Sequence, residues 1–249
     1  FVFGIGNFFA RRRVSIVITH HIMHDTLPQS IGIIMDGNRR YAKELGLPSL
    51  EGHRRGYEKL VEVLGWCRDA GVKELIVYAF STENWNRTQE EVGYLMNLFR
   101  TMIAQVVEDA RRNNTRLIFL GERSRFAPDL LAAIEHAEEQ TRGCTGFRFG
   151  IALSYGGRTE IVDAIRRIPP ERLATLTEEE FSSFLWTKEL RDPDLIVRTS
   201  GEERLSGFLP WQSVYSELFF TPTYWPAFSR KEFDAMLETY AARTRRFGK

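Results

Sequence analysis

The sequence predicts one α/β domain: a central, mostly parallel six-stranded sheet flanked by helices. Three observations predict it. Six apolar runs rich in β-branched residues recur along the 249 residues, and the segments between them carry apolar residues at helical spacing. No internal repeat appears, and the only linker-like stretch is short, around Pro169 and Pro170. Strands that alternate with helices require parallel neighbours covered on both faces, and this length suits one core better than two.

The strands are predicted near Ile31–Met35, Glu74–Phe80, Arg116–Gly121, Phe147–Tyr155, Leu195–Thr199 and Leu218–Thr221. Between the first two, Leu60, Val63, Leu64 and Cys67 recur at helical spacing, which makes Cys67 a core thiol. After the second, Val92, Leu95, Met96, Phe99, Ile103, Val106, Val107 and Ala110 stripe one face of a long helix. Later helices are predicted over Pro128–Thr141, Arg158–Ile168, Glu178–Trp186 and Arg230–Arg243. Residues 1–28 read as an amino-terminal arm, and 29–249 as the functional domain.

Composition excludes several classes. The content is 43% hydrophobic and 27% charged, that of a globular protein rather than a disordered or fibrous one. A net charge of +1 gives no whole-molecule signal for nucleic acid, so no nucleic-acid partner is expected. Only 6 of the 34 basic residues are Lys, leaving 28 Arg, the planar fork suited to carboxylate and phosphate oxygens. Cys67 and Cys144 have neither metal-ligand spacing nor a disulfide framework, which fits a reducing, cytoplasmic setting. The opening FVFGIGNFFARRR is too short in apolar residues to span a membrane and lacks a small-residue cleavage site. Apolar residues followed by Arg11, Arg12 and Arg13 suit peripheral contact with a membrane surface, or equally an arm packed on the domain.

In parallel sheets, ligands bind beyond the carboxyl ends of the strands, and here those ends are polar. The first strand runs into Asp36, Gly37, Asn38, Arg39, Arg40 and Tyr41. Gly37 allows close backbone approach, the following helix start attracts phosphate, and the two arginines add charge-assisted forks. Asp36 is the one carboxylate there, and an acid among phosphate-binding groups needs a cation between them. Mg²⁺ fits, because it is held by one or two carboxylates plus substrate phosphates. Taken alone, the string could equally be a helix cap and turn.

The second strand ends in Ser81, Thr82, Glu83, Asn84, Trp85, Asn86 and Arg87. The fifth ends in Arg198, Thr199, Ser200 and Gly201, followed by Arg204, Ser206 and Gly207, a good diphosphate cradle. Glu217 is a second candidate metal carboxylate. His53 lies close in sequence to the first motif, whereas His20, His21 and His24 have no consistent partners. Nucleotide-phosphate loops, dinucleotide glycine fingerprints, HExxH and serine elbows are all missing from the sequence.

The strings IMDGNRRYAK, EGHRRG, YAFSTENWNR, SYGGRTEIVDA, DPDLIVRTSGEERLSGFLPWQSVYSEL and the terminal RRFGK, in order from about residue 29 to 249, resemble the cis-prenyltransferase family. That family includes undecaprenyl diphosphate synthase and dehydrodolichyl diphosphate synthase. The resemblance implies a Mg²⁺-dependent enzyme that condenses isopentenyl diphosphate with an allylic prenyl diphosphate, farnesyl or geranylgeranyl, into a long cis-polyprenyl diphosphate. It implies that Asp36 binds Mg²⁺ at the allylic diphosphate and is indispensable, with Glu217 giving a second metal contact. Gly37, Asn38, Arg39 and Arg40 would hold that diphosphate, with Tyr41 beside the first isoprene units. His53 would assist diphosphate departure or proton transfer, and Asn84 is the family's proton-acceptor candidate. Ser81, Thr82, Glu83, Trp85 and Arg87 would complete the reacting centre. Arg198, Arg204 and Ser206 would bind isopentenyl diphosphate. Arg246, Phe247 and Gly248 resemble the terminal motif that reaches a neighbouring subunit, which implies a homodimer.

Arg39, Tyr41, Ser49, Gly207 and Pro210 depart from the common bacterial pattern toward archaeal-type members, which implies a geranylgeranyl primer. A growing hydrocarbon also needs room. The faces carrying Leu60, Val63, Leu64, Val92, Leu95, Met96 and Phe99 are expected to form a tunnel, or else plain core. The alternative of a non-catalytic subunit is disfavoured by the intact Asp36–Arg40 motif.

Overall fold

A computed structural model describes residues 27–243. The strands are β1 (Ser30–Ile34), β2 (Glu74–Ser81), β3 (Thr115–Leu120), β4 (Phe147–Tyr155), β5 (Leu195–Arg198) and β6 (Glu217–Phe220). They form one sheet in the order β3-β4-β2-β1-β5-β6, with every neighbouring pair parallel. The expected strands are therefore all present, within about two residues at their ends, and the sheet is wholly parallel. Residues 1–26 of the arm, with His20, His21 and His24, and the terminal Arg246–Phe247–Gly248 lie outside the described residues.

The helices are α1 (Asn38–Glu44), α2 (Ser49–Asp69), α3 (Gln89–Arg112), α4 (Pro128–Gln140), α5 (Gly157–Arg167), α6 (Glu178–Ser182) and α7 (Arg230–Ala242). α3 begins where the Thr88 hydroxyl accepts the Glu91 N–H at 3.3 Å, and it ends in Arg111 and Arg112, whose charges suit a helix carboxyl terminus. The predicted helix over 178–186 shortens to α6, because Phe184 and Leu185 already make i→i+3 turns back to Phe181 and Ser182.

Alternation along the strands sorts side chains to two faces. Ile31, Ile33, Leu75 and Val77 join the apolar stripes of α2, α3, α4 and α7, with Cys67 fully buried among them. Ile34, Ile76 and Ile196 face the other way, toward Tyr155, Phe208 and Leu209. The sheet's two edges differ. On β3, the Leu117 N–H donates to the Thr141 hydroxyl at 3.1 Å and the Phe119 N–H to Glu138 at 3.0 Å, so α4 satisfies that edge. On β6 the edge carries exposed Leu218, with exposed Val214 and Tyr215 just before it.

No described helix is long and apolar enough to cross a membrane.

Candidate active site

At the carboxyl edge of β1 the chain turns sharply, and the Asp36 carbonyl is held by the Thr199 hydroxyl at 2.7 Å and the Trp225 N–H at 3.0 Å. Its carboxylate is thereby fixed. One oxygen accepts the Gly37 N–H at 2.7 Å; the other accepts Arg198 Nη2 at 2.9 Å and faces Arg40 Nη2 at 3.3 Å. Burial alone would raise this carboxyl's pKa, but the hydrogen bond and charge of Arg198, followed by Arg40, hold it below the usual carboxylate value. Gly37 has φ +103°, and a Cβ there would lie 2.7 Å from the Tyr224 ring, so only glycine allows the turn from β1 into α1.

Arg198 ends β5 nearly buried, and its Nη1 donates to the Ser206 hydroxyl at 2.8 Å and to the Arg204 carbonyl. Its Nε is buried without a partner among the described residues, as is Ser200 Oγ. The following loop wraps back through left-handed residues Ser200, Gly201, Ser206, Gly207 and Leu209. Three of these are not glycine, and such strain persists where surrounding structure overdetermines it, as at ligand sites.

After β2, a 3₁₀ turn over Thr82–Asn86 is closed by a reciprocal cap in which the Ser81 N–H donates to the Asn84 amide oxygen at 3.1 Å. Asp36, Asn38, His53, Ser81, Glu83, Asn84, Arg87, Arg198 and Ser206 thus converge on one polar cup of about 490 Å³. Next to it runs an apolar tunnel of about 90 Å³ between α2, α3 and the sheet. Leu60, Leu64, Leu95 and Phe99 line it as expected, with Tyr57, Leu98, Met102, Val106 and Trp225; Val63, Val92 and Met96 do not, and pack into the core. Met35, Asn38, His53, Ala79 and Leu95 border both spaces, so cup and tunnel adjoin. α2 crosses the start of α1 closely: a Cβ on Gly52 would lie 2.0 Å from the Asn38 carbonyl oxygen, and one on Gly56 2.3 Å from Asn38 Oδ1.

A sequence profile of the family described as putative undecaprenyl diphosphate synthase matches residues 34–248. An isoprenyl transferase of Thermus thermophilus is 45% identical over 244 residues, covering 93% of each chain. A tritrans,polycis-undecaprenyl-diphosphate synthase (geranylgeranyl-diphosphate specific) of Picrophilus torridus is 43% identical over 252 residues, covering 98% of each. The chain belongs to the cis-prenyltransferase family. Solved cis-prenyltransferase structures share its architecture. Lavandulyl diphosphate synthase from Lavandula x intermedia, in complex with dimethylallyl diphosphate, superposes with a TM-score of 0.86 at 32% identity, over 90% of this chain and 100% of that one. A probable undecaprenyl diphosphate synthase from Campylobacter jejuni gives 0.76 at 31%, over 89% and 99%. The chain is therefore a prenyltransferase enzyme.

Not every residue expected in this cis-prenyltransferase site converges on the cup. Glu217 pairs in register with Leu195 at the amino edge of the sheet, whereas Asp36 lies past the carboxyl edge. Within one protomer Glu217 cannot share a metal with Asp36; it pairs with Arg243 instead. Trp85 turns away to bond Ser154 Oγ at 2.9 Å, edge-on to Phe80, tilted against Phe126 and beneath the Arg125 guanidinium, and so anchors the 3₁₀ turn. The Arg204 side chain is mostly exposed and pairs with Glu202, and only its carbonyl reaches Arg198. Thr82 bonds Glu83, and Tyr41 lies beneath the Arg55 guanidinium of α2. Arg39 and Arg40 sit at the rim, paired with Glu91 and Glu202.

Glu91 is the residue that sequence reasoning missed. It contacts Arg87 at 2.8 Å, His53 at 3.3 Å and Arg39 at 3.4 Å. An acid in the first turn of a helix, four residues after an Arg, reads as an ordinary helix-start pair. The remaining signal was its place on the α3 stripe, one turn before Leu95.

Proposed function

We propose that this prenyltransferase condenses isopentenyl diphosphate with an allylic prenyl diphosphate, geranylgeranyl diphosphate in the first instance, to give a long-chain cis-polyprenyl diphosphate with Mg²⁺. The observation that carries this reading is the adjacency of an arginine-rich cup and an apolar tunnel that share five lining residues. A diphosphate head and a hydrocarbon tail need these two environments side by side. The geranylgeranyl preference rests on the departures at Arg39 and Tyr41 and on the geranylgeranyl-diphosphate specificity for which the Picrophilus relative is named.

The donor set suits Mg²⁺ of one kind. No group of three or more acidic, His or Cys side chains gathers among the described residues, so no all-protein cage exists there. One fixed carboxylate, Asp36, among phosphate-binding groups fits an ion that brings substrate oxygens with it. When bound, Mg²⁺ would neutralise charge on the departing diphosphate. The chain's own groups do the rest. Arg198, with its unpartnered Nε, and the Ser206 hydroxyl bind a diphosphate, and Arg39, Arg40 and Arg87 receive the other from the rim. Fixed positive groups stabilise the charge that develops as the allylic C–O bond breaks. Cup and tunnel together hold the second substrate's double bond beside the carbon left behind. Asn84 lends its amide oxygen to Ser81, which makes it a positioning group rather than a base. The proton that departs with the new double bond goes to a diphosphate oxygen.

A homodimer is part of the same proposal, built on the open β6 edge with exposed Val214, Tyr215 and Leu218.

The test is a condensation assay with labelled isopentenyl diphosphate, Mg²⁺ and primers of three lengths, resolved by product size. Lengthened products, formed best from the geranylgeranyl primer, are expected. Phosphate release without carbon–carbon bond formation would overturn the reading.

A further inference from the structure

Glu91 stands at the one point where α1, α2, the 3₁₀ turn and α3 meet. Its side chain is 13% exposed and spans Arg39 of α1, His53 of α2 and Arg87, the residue that follows the 3₁₀ turn. On α3 it lies one turn before Leu95, on the stripe whose Leu95, Leu98, Phe99 and Met102 line the tunnel. A glutamate at the third position of a helix usually reaches back to the N–H of the capping residue. Here the Thr88 hydroxyl caps Glu91's own N–H, while the Glu91 carboxylate turns into the site.

The contact with His53 has a chemical consequence. Oε1 faces His53 Nε2 at 3.3 Å, and a carboxylate only accepts, so the proton of a neutral ring must sit on Nε2. Nδ1 is then the ring's acceptor. Burial of the ring and the nearby charge of Arg87 lower the imidazole pKa, which favours the neutral form, while Glu91 opposes that shift.

We infer that Glu91 is a positioning residue for the condensation: it sets His53 as the Nε2–H tautomer and holds Arg87 and Arg39 beside the polar cup. This rests on the proposed function, since His53 and the two arginines matter to that chemistry alone. Glu91 touches no reacting atom. It also supplies negative charge beside two guanidinium groups that must later attract a diphosphate. Removing it should therefore disorder the site without weakening the attraction for substrate.

The experiment compares full-length wild type with Glu91→Ala and Glu91→Gln. Alanine keeps the helix start, being the best helix former, and the Thr88 hydroxyl needs only the backbone N–H of residue 91. In Glu91→Ala, kcat is expected to fall about tenfold or more, the loss that follows misplacement of catalytic groups, with primer KM no higher than wild type. Nitrogen-15 spectra of His53 should change from a single Nε2–H tautomer to a mixture. Glu91→Gln, whose amide oxygen still accepts, should restore the tautomer and return kcat to within about threefold of wild type. A Glu91→Ala protein that keeps the single tautomer, or whose kcat stays within about twofold, overturns the inference, as does a raised KM with unchanged kcat. If wild type itself makes no condensation product, it is the proposed function that falls, and the spectra alone then decide whether Glu91 sets the ring.

Discussion

The cup and the tunnel are neighbours built on opposite principles. In and around the cup, side chains are held by charge: Arg87 and Arg198 inside it, and Arg39, Arg40 and Arg204 outside, each pair with Asp36, Glu91 or Glu202. Those carboxylates hold the arginines in place before anything binds. In the tunnel, shape comes from apolar stripes of α2 and α3 that pack without polar contacts. Positioned charge governs how fast a bond forms, and apolar volume governs how much hydrocarbon fits. Rate and product length should therefore respond to different residues.

The largest expected effect lies in the cup. Asp36→Ala, or chelation of divalent cations, should lower condensation by about 10³-fold. Any residual product should keep the wild-type length distribution, and a shortened one would break the separation. Arg198→Lys comes next, at about 10²-fold, because one ammonium cannot span Asp36, Ser206 and the Arg204 carbonyl as the guanidinium does. Steady-state kinetics with each substrate varied would locate that loss in isopentenyl diphosphate binding. In the tunnel the pattern reverses. Leu95→Trp or Phe99→Trp should shorten the product while kcat/KM for the first condensation changes less than about fivefold. An unchanged distribution would reduce the tunnel to plain core. Smallest of all, Trp85→Phe loses the bond to Ser154 and should cost about 1 kcal/mol of stability, read as a shift in Tm, with little change in turnover.

The same contrast explains what was legible in the sequence. Strands, and the polar residues at their carboxyl ends, follow from local periodicity, so Asp36, Ser81 and Arg198 could be found before any coordinates. The α3 stripe was equally visible, yet only part of it lines the tunnel. Val92 and Met96 share its periodicity but face core, since one turn of helix decides which side a residue takes. What escaped was set by long-range pairing. Glu91 looked like a helix-start charge until His53, 38 residues earlier, was brought against it. Trp85 sat inside a polar string, but the direction of its ring depends on Ser154, 69 residues away. Glu217 begins its strand rather than following it, which places it on the far rim of the sheet.

The glycine contact between α2 and α1 has a consequence of its own. Since a single methyl at position 52 would collide with the Asn38 carbonyl, the two helices touch backbone to backbone, with no cushion of side chains to absorb displacement. His53 is the residue next to that fulcrum. A wedge there would tilt a helix of 21 residues, and with it one wall of the hydrocarbon channel, while leaving every group that handles charge chemically intact. Alterations far from the reacting atoms can thus retune the enzyme through leverage alone.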